Sequence, residues 1–183
     1  MKPNEYAINA AKEVMQILDM ADADEMTAIA DKILIADAVF VAGAGRSLLM
    51  LKAFAMRLVH FGLKAHVAGE TTTPAIRKND TLLAASGSGE TETILVMAKK
   101  AVGAGAFLAA VTAKSDSSLA SIAEKVLIIP AGTKSGGPHA SWQPAGNSFE
   151  QSLLMALDGI AMYIASIRGY DFTKSLGLHA NLE

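Results

Sequence analysis

Hydrophobic positions near the amino terminus recur at helical spacing. Between Asn4 and about Leu34, apolar residues return every three or four positions, which predicts amphipathic helices; they are Ile8, Val14, Ile17, Leu18, Met26, Ile29 and Ile33. A polar break between Ala21 and Asp24 predicts the joint between two such helices. We expect residues 1–35 to form helices that pack on the core of the domain or on a partner subunit.

Short apolar runs follow, and each ends in glycine or a polar turn. They are Ala38–Ala42, Ala65–Ala68, Thr81–Ala85, Ala106–Thr112 and Val126–Ile129. Helical patterns separate several of them, from about Ser47 to Phe61 and from about Thr91 to Val102. Strands alternating with helices are typical of α/β proteins, and near-continuous apolar strands suit a parallel sheet covered on both faces. The chain is predicted to be one α/β domain over residues 1–183, a three-layer sandwich with a five-stranded parallel sheet, flavodoxin-like or Rossmann-like.

The carboxy-terminal third shows two further patterns. Residues 131–146 have no periodicity, and a loop of that length is typical of a lid or binding loop. The next predicted helix, Ser148–Ile167, is apolar almost all round and must be buried on more than one side. Either it is central in the domain or it lies in a subunit interface, and the small size of the domain favours the interface.

Composition excludes several classes of protein. Of 183 residues, 51% are hydrophobic and 19% charged with a formal net charge of −2, which excludes a disordered chain and a polybasic nucleic-acid binder. The absence of Cys excludes disulfides, thiolate zinc sites, iron–sulfur clusters and cysteine nucleophiles. The charged amino terminus is no signal peptide, and no apolar run reaches the roughly 18 residues of a membrane span. We expect a cytoplasmic protein that binds neither membrane nor nucleic acid.

The sharpest candidate site is the turn Ser86-Gly87-Ser88-Gly89-Glu90-Thr91, which joins a predicted strand to a predicted helix. Small residues allow a tight turn, hydroxyls line it, and free N–H groups at the helix start attract anions. Alternatively, Ser88 or Thr91 only caps the helix. We interpret the turn as a phosphate site.

A second glycine turn, Gly43-Ala44-Gly45-Arg46-Ser47, should reach the same edge of the sheet. It looks like a dinucleotide fingerprint, with Glu70 near the place of a ribose-binding acid, but Leu48 stands where the third glycine belongs. Redox use of this turn is therefore the weakest interpretation. Arg46 and Ser47 are instead candidates to grip a phosphate or sugar hydroxyls, unless Arg46 is only a surface ion-pair partner.

Glu150 follows the long loop at the start of the last helix. Asn147 to Glu150 has the spacing of a capping pair, yet a carboxylate among apolar residues under a lid could also act as a general base. Among the histidines, His60 on a predicted helix and His66 at the start of a strand are placed for packing, and neither has a partner at metal-ligand spacing. His139 in the loop and His179 near the carboxy terminus are better placed for function. No metal site is expected.

Five segments together resemble the sugar isomerase (SIS) domain, and within it the 6-phospho-3-hexuloisomerase family. They are Gly43–Ser47, Gly69–Pro74, Ser86–Thr91, Ser148–Gln151 and the ending Leu178–Leu182. The resemblance covers essentially the whole chain. It departs in the lid, where the family often has methionine-glycine-threonine and this chain has Pro144-Ala145-Gly146-Asn147-Ser148.

The resemblance implies isomerisation of D-arabino-3-hexulose 6-phosphate to D-fructose 6-phosphate in the ribulose monophosphate pathway, without metal or organic cofactor. It also implies a homotetramer in which the tail approaches a neighbouring subunit's site. Carried over by position, the phosphate would be held by Ser47, Ser86, Ser88 and Thr91, with Gly45 and Gly87 shaping the turns. Arg46 would contact the substrate, Glu150 would match the family's proposed base, and His179 would match its C-terminal histidine. Because enediolate charge develops on the shifting oxygens, His179 and then Arg46 are the candidates to assist them.

Two other functions fit the same motifs. One is isomerisation of another sugar phosphate, such as an arabinose 5-phosphate or a sedoheptulose 7-phosphate. The other is a non-catalytic sugar-phosphate sensor, which would bind ligand and tolerate loss of Glu150.

Overall fold

The computed structural model describes residues 1–132 and 141–170. Its helices are α1 (Pro3–Asp19), α2 (Ala23–Ile35), α3 (Gly45–His60), α4 (Glu92–Gly103), α5 (Ser118–Ile122) and α6 (Asn147–Ile167). Its strands are β1 (Val39–Gly43), β2 (Ala65–Val67), β3 (Thr81–Ala85), β4 (Phe107–Thr112) and β5 (Lys125–Ile128).

The strands form one parallel sheet in the order β2-β1-β3-β4-β5, as predicted. In the register, Val39 of β1 lies between Ala65 of β2 and Thr81 of β3. From β1 the chain crosses outward to β2, whereas from β3 it proceeds in the opposite direction to β4 and β5. The strand order therefore reverses between β1 and β3, and their carboxyl ends flank the crevice where open α/β sheets bind ligands.

Side chains that alternate along the strands build two apolar layers. Val39 and Val41 face the layer that contains α1, α2, α3 and α6, whereas Phe40 and Ala42 face α4 and α5. The strands are buried on both faces, which explains their near-continuous apolar sequence. The three-layer α/β sandwich is confirmed.

Helix α6 is buried mainly by its own chain. It packs against α1, α2 and α3, and its fully buried residues include Leu153, Leu157 and Ile164. The preference for a subunit interface was therefore wrong for most of this helix, because the N-terminal helices supply the second apolar surface. Met155 and Met162 are apolar residues of α6 that stay exposed.

The N-terminal helices differ in how deeply they are buried. Helix α2 packs against α6 and β5 and buries Ile29, Ala30 and Ile33, whereas α1 packs on α6 and buries Val14 and Ile17. Within residues 1–132 and 141–170, no helix has the length and hydrophobicity that crossing a membrane requires.

The predicted elements match the observed ones to within a residue or two at most ends. Helix α5 was not predicted, because its five residues are too few to show a helical period. It is fixed instead by its N-cap, where the Ser117 side chain accepts a hydrogen bond from the backbone N–H of Ala120.

We predict that Ile160→Ala destabilises the protein by about 2–5 kcal/mol, because Ile160 is 2% exposed between α6 and its neighbouring helices. The matched control is Ile167→Ala on the same helix, where the side chain is 59% exposed and the change should stay within about 0.5 kcal/mol. Urea unfolding measures both. Equal losses would contradict the packing described for α6.

Candidate active site

A cavity of about 280 Å³ opens at the carboxyl ends of β1 and β3. Its walls come from the glycine turn after β1, the serine turn after β3 and the start of α6. The lining residues are Ala44, Gly45, Arg46, Ser47, Ala85, Ser86, Gly87, Ser88, Thr91, Gly146, Phe149 and Glu150. The residues predicted to hold the phosphate, to contact the substrate and to act as the base all lie in this one cavity, His179 excepted, which is outside the described residues.

The serine turn is tied to the neighbouring strand β4 by its backbone. The N–H of Ser86 donates to the carbonyl of Val111 at 3.0 Å, and the N–H of Ala113 donates to the carbonyl of Gly87 at 3.1 Å. Within the turn, Ser86 Oγ accepts from the Gly89 N–H at 3.1 Å. These hydrogen bonds restrain the backbone of the turn on both sides of Gly87.

The hydroxyls of the serine turn do not cap helix α4. Thr91 is the N-cap residue, but its side chain makes no capping hydrogen bond and lies 2.8 Å from Ser86 Oγ instead. Ser88 Oγ accepts from the Glu90 N–H at 3.2 Å, which tightens the turn itself. The capping interpretation is wrong, and α4 presents its positive end beside a cluster of hydroxyls.

Helix α5 packs directly on Gly89. This glycine has φ +67°, and a Cβ there would lie 2.1 Å from Ser117 Oγ and 2.3 Å from Ser117 Cβ. The N–H of Leu119 also donates to the Gly89 carbonyl at 3.0 Å. Glycine is required at this position by both the backbone conformation and the close approach.

The exposed side chain of Glu90 also links the serine turn to helix α5. Its carboxylate accepts a hydrogen bond from the Ser118 N–H at 2.7 Å, and this bond holds the pKa of Glu90 below its ordinary value of 4.5. Because the pKa of Glu90 is lower in the folded protein, its contact with Ser118 stabilises the fold at pH values above 4.5. This stabilisation is lost as the pH falls through the lower pKa of the folded state.

The turn after β1 brings Arg46 and Ser47 to the opposite wall. Gly45, with φ +56°, begins α3 behind the N-cap Ala44, so Arg46 and Ser47 lie in the first turn of that helix. A Cβ on Gly43 would lie 2.8 Å from Leu51 Cδ1, so this glycine lets α3 pack closely on β1. Helix α3 therefore begins directly after a glycine turn, as in a dinucleotide-binding fold, but its first turn places the cationic side chain of Arg46 in the cavity wall.

Arg46 and Glu150 form an ion pair at the mouth of the cavity. The Nε–H of Arg46 donates to Glu150 Oε2, with the side chains 58% and 12% exposed respectively. Glu150 does not cap α6, whose N-cap is Gly146. The capping interpretation of Glu150 is therefore wrong, and Arg46 pairs with a buried carboxylate rather than with a surface one.

Sequence reasoning missed a chain of polar side chains behind this pair. Arg46 Nη2 donates to Asn147 Oδ1 at 2.7 Å, Asn147 Nδ2 donates to Gln143 Oε1 at 2.8 Å, and Gln143 Nε2 donates to Glu13 Oε2 at 3.0 Å. Glu13 lies on α1, some 130 residues away in sequence from Gln143. No motif or period marks these residues, so no signal in a single sequence could have found them.

Other predicted candidates lie elsewhere. Glu70 pairs with Lys52 at 2.7 Å beyond the end of β2, outside the cavity lining. His66 packs on Phe40 with ring centroids 5.1 Å apart, and His60 is buried in α3. His139 and His179 lie outside the described residues, so their roles stay predictions.

Metal ligands do not cluster in the part of the chain that the structure describes. Across residues 1–132 and 141–170, no group of three or more His, Asp or Glu is arranged to hold a metal ion.

The family of the protein follows from comparison with known proteins. The family model of the SIS domain matches residues 32–157, well over half of the chain. The protein therefore belongs to the SIS domain family.

Individual relatives carry the comparison further. The 3-hexulose-6-phosphate isomerase of Mycobacterium gastri is 45% identical over 172 residues, covering 93% of this chain and 86% of that protein. The Bacillus subtilis (strain 168) protein of the same name is 37% identical over 185 residues, covering 100% of both. A solved Methanococcus jannaschii structure, from which a 3-hexulose-6-phosphate isomerase function was inferred, has a TM-score of 0.85 at 28% identity, covering 98% of this chain and 99% of that one. These named relatives support an isomerase.

We predict that Gly89→Ala destabilises the protein more than Gly105→Ala does. Both positions have positive φ, so each pays about 1–2 kcal/mol for a Cβ in that region. At Gly105 an added Cβ would have no atom nearer than 3.7 Å. At Gly89 an added Cβ would overlap Ser117, and this overpacking should destabilise the protein by a further amount of about 1–3 kcal/mol. Urea unfolding of both variants measures the difference. Equal losses would show that α5 does not press on the serine turn.

Proposed function

We propose that this protein is a 3-hexulose-6-phosphate isomerase, which interconverts D-arabino-3-hexulose 6-phosphate and D-fructose 6-phosphate in the ribulose monophosphate pathway. The relatives of that name at 45% and 37% identity support the substrate. The observation that carries the chemistry is one cavity with a hydroxyl-lined turn on one wall and a buried, arginine-paired carboxylate on another.

The serine turn binds the phosphate in this proposal. Ser47, Ser86, Ser88 and Thr91 supply hydroxyl donors, and the start of α4 supplies backbone N–H groups and the positive end of its dipole. Glycine at positions 45 and 87 leaves the backbone free of side chains where the phosphate approaches. Because the phosphate lies at C6, this anchor fixes the chain and orients C2 and C3 toward the other wall.

Glu150 is the base that moves the proton. Its carboxylate takes the proton from C2, the electrons of that C–H bond form a C2=C3 double bond, and the π electrons of the C3 carbonyl move to O3 to give a cis-enediolate. The proton of the O2 hydroxyl passes to O3, a lone pair of O2 forms the C2 carbonyl, and the electrons of the C2=C3 bond take the proton back from Glu150 at C3. One carboxylate on one face of the enediol serves both transfers.

Negative charge develops on O2 and O3 during these steps, so a cation or donor close to them lowers the barrier. Arg46 lines the cavity and uses Nε on Glu150 and Nη2 on Asn147, while a guanidinium has further N–H donors. His179 is the other candidate donor by resemblance.

The reaction consists of proton transfers, so the proposed mechanism requires neither a metal nor an organic cofactor. A 3-ketose could close a furanose ring only through O6, which carries the phosphate. The substrate is therefore already an open chain, and no acid is required to open it.

Three further expectations stay predictions. They are the homotetramer, the approach of the carboxy-terminal tail to a neighbouring subunit's site, and the cytoplasmic location.

We predict that Glu150→Gln lowers kcat by about 10²–10⁴-fold, the usual contribution of a general base, and leaves binding of fructose 6-phosphate intact. Formation of fructose 6-phosphate from D-arabino-3-hexulose 6-phosphate measures kcat, in parallel assays with and without a chelator, and calorimetry measures binding. Glu70→Gln is the matched control, because that carboxylate lies outside the cavity lining.

Equal rates for wild type and Glu150→Gln would remove Glu150 from the mechanism. Ligand binding without turnover by the wild type would favour a sensor, and turnover of a different sugar phosphate alone would change the substrate. Loss of activity with chelator would contradict the metal-free mechanism.

We predict that Thr91→Val raises KM by about tenfold with a smaller effect on kcat, because a hydroxyl of the phosphate site is removed without loss of volume. Thr93→Val is the matched control, since Thr93 is exposed on α4 and does not line the cavity. Inhibition by inorganic phosphate should weaken in parallel with KM. An unchanged KM and phosphate affinity would contradict the assignment of the phosphate site.

A further inference from the structure

The polar chain behind Arg46 has a fixed direction. It begins at Glu13, whose carboxylate only accepts hydrogen bonds, and ends at Arg46, whose guanidinium only donates them. Gln143 must therefore turn its NH₂ group to Glu13 and its oxygen to Asn147. Asn147 must in turn give its NH₂ group to Gln143 and its oxygen to Arg46. The two end charges together lock both amides in one orientation.

The chain is also anchored along its length. Gln143 is 7% exposed, and its backbone N–H donates to Ser141 Oγ at 3.0 Å. Trp142 beside it packs on Tyr6 of α1, with ring centroids 6.0 Å apart. The N–H of Asn147 donates to the Pro144 carbonyl at 3.0 Å. Helix α1 thus holds the segment 141–147 from which Asn147 reaches Arg46.

Arg46 needs such an anchor for its guanidinium to keep one orientation toward Glu150. Its side chain is long and 58% exposed, and an exposed ion pair by itself restrains an arginine only weakly. The Nε and Nη2 groups lie on the same edge of the guanidinium. With Nη2 held by Asn147, Nε is presented to Glu150 Oε2, and the carboxylate is held with its other oxygen available to a substrate.

We propose that Gln143 and Asn147 are positioning residues, and that their hydrogen-bonded chain from Glu13 of α1 keeps the Arg46–Glu150 pair in its working orientation. The catalytic consequence rests on the proposed function, in which Glu150 transfers the proton. The positional consequence concerns the ion pair alone and holds whatever the substrate is.

The test reverses the polarity of one link. Gln143→Glu places two carboxylates together at Glu13, so the chain loses its anchor, and we expect kcat to fall about tenfold with KM within about twofold. In the double variant Glu13→Gln with Gln143→Glu, the new amide at position 13 donates to the new carboxylate at position 143, which still accepts from Asn147. We expect this double variant to recover to within about threefold of the wild-type kcat.

Gln16→Glu is the matched control, because Gln16 lies exposed on α1 and undergoes the same chemical change. We expect wild-type kcat and KM from it. Urea midpoints measured on all variants separate a loss of folding from a loss of positioning. A kcat for Gln143→Glu within twofold or so of wild type would overturn the proposal, as would a folded double variant that stays as slow as the single one.

A second readout does not depend on turnover. A water-soluble carbodiimide modifies carboxyl groups, and peptide mass spectrometry measures its rate at Glu150. We expect several-fold faster modification in Gln143→Glu and the wild-type rate in the double variant, because a carboxylate released from Arg46 is no longer covered by the guanidinium and is reached more readily by the reagent. Uniform labelling rates would overturn the proposal. If the wild-type protein turns over no hexulose phosphate but the variants show this labelling pattern, the positioning role is supported and the proposed function is rejected.

Discussion

The ion pair between Arg46 and Glu150 joins the two halves of the site. Arg46 comes from the first turn of α3 and Glu150 from the first turn of α6, and these helices pack together on one face of the sheet. The pair can form only because β1 ends at the edge of the sheet where α6 begins, next to the point where the strand order reverses. The serine turn reaches that edge on β3. The topology of the sheet thus determines which side chains line the cavity, and the Arg46–Glu150 ion pair links the start of α3 to the start of α6 there.

Magnitudes assign different tasks to the apolar layers and to the ion pair. An ion pair with an exposed partner contributes about 0–1 kcal/mol to stability, whereas one buried aliphatic side chain of α6 contributes several times that amount. The fold is therefore held by the two hydrophobic layers, and Arg46 is free to serve orientation.

The sequence was sufficient wherever a local rule decides the outcome. Apolar strand runs predicted the sheet, and hydroxyls between small residues predicted the turn at Ser86. The roles of Thr91 and Glu150 near helix starts were ambiguous, because capping and site residues share the same spacing; their hydrogen bonds to Ser86 and Arg46 decide the question. The link from Asn147 through Gln143 to Glu13 depends on tertiary contact between α1 and the segment before α6. No local pattern encodes such a contact.

The central claim is that Glu150 carries a proton between C2 and C3 of a hexulose phosphate. The most direct measurement is proton NMR of fructose 6-phosphate incubated with the protein in D₂O. The account predicts that deuterium enters at C3, because Glu150 abstracts the C3 proton in the reverse direction and part of it exchanges with solvent before the enediol is protonated again, and that Glu150→Gln abolishes this exchange. Deuterium at C1 would instead indicate a 1,2-enediol and a different isomerase, and exchange at C3 that persists undiminished in Glu150→Gln would contradict proton transfer through Glu150.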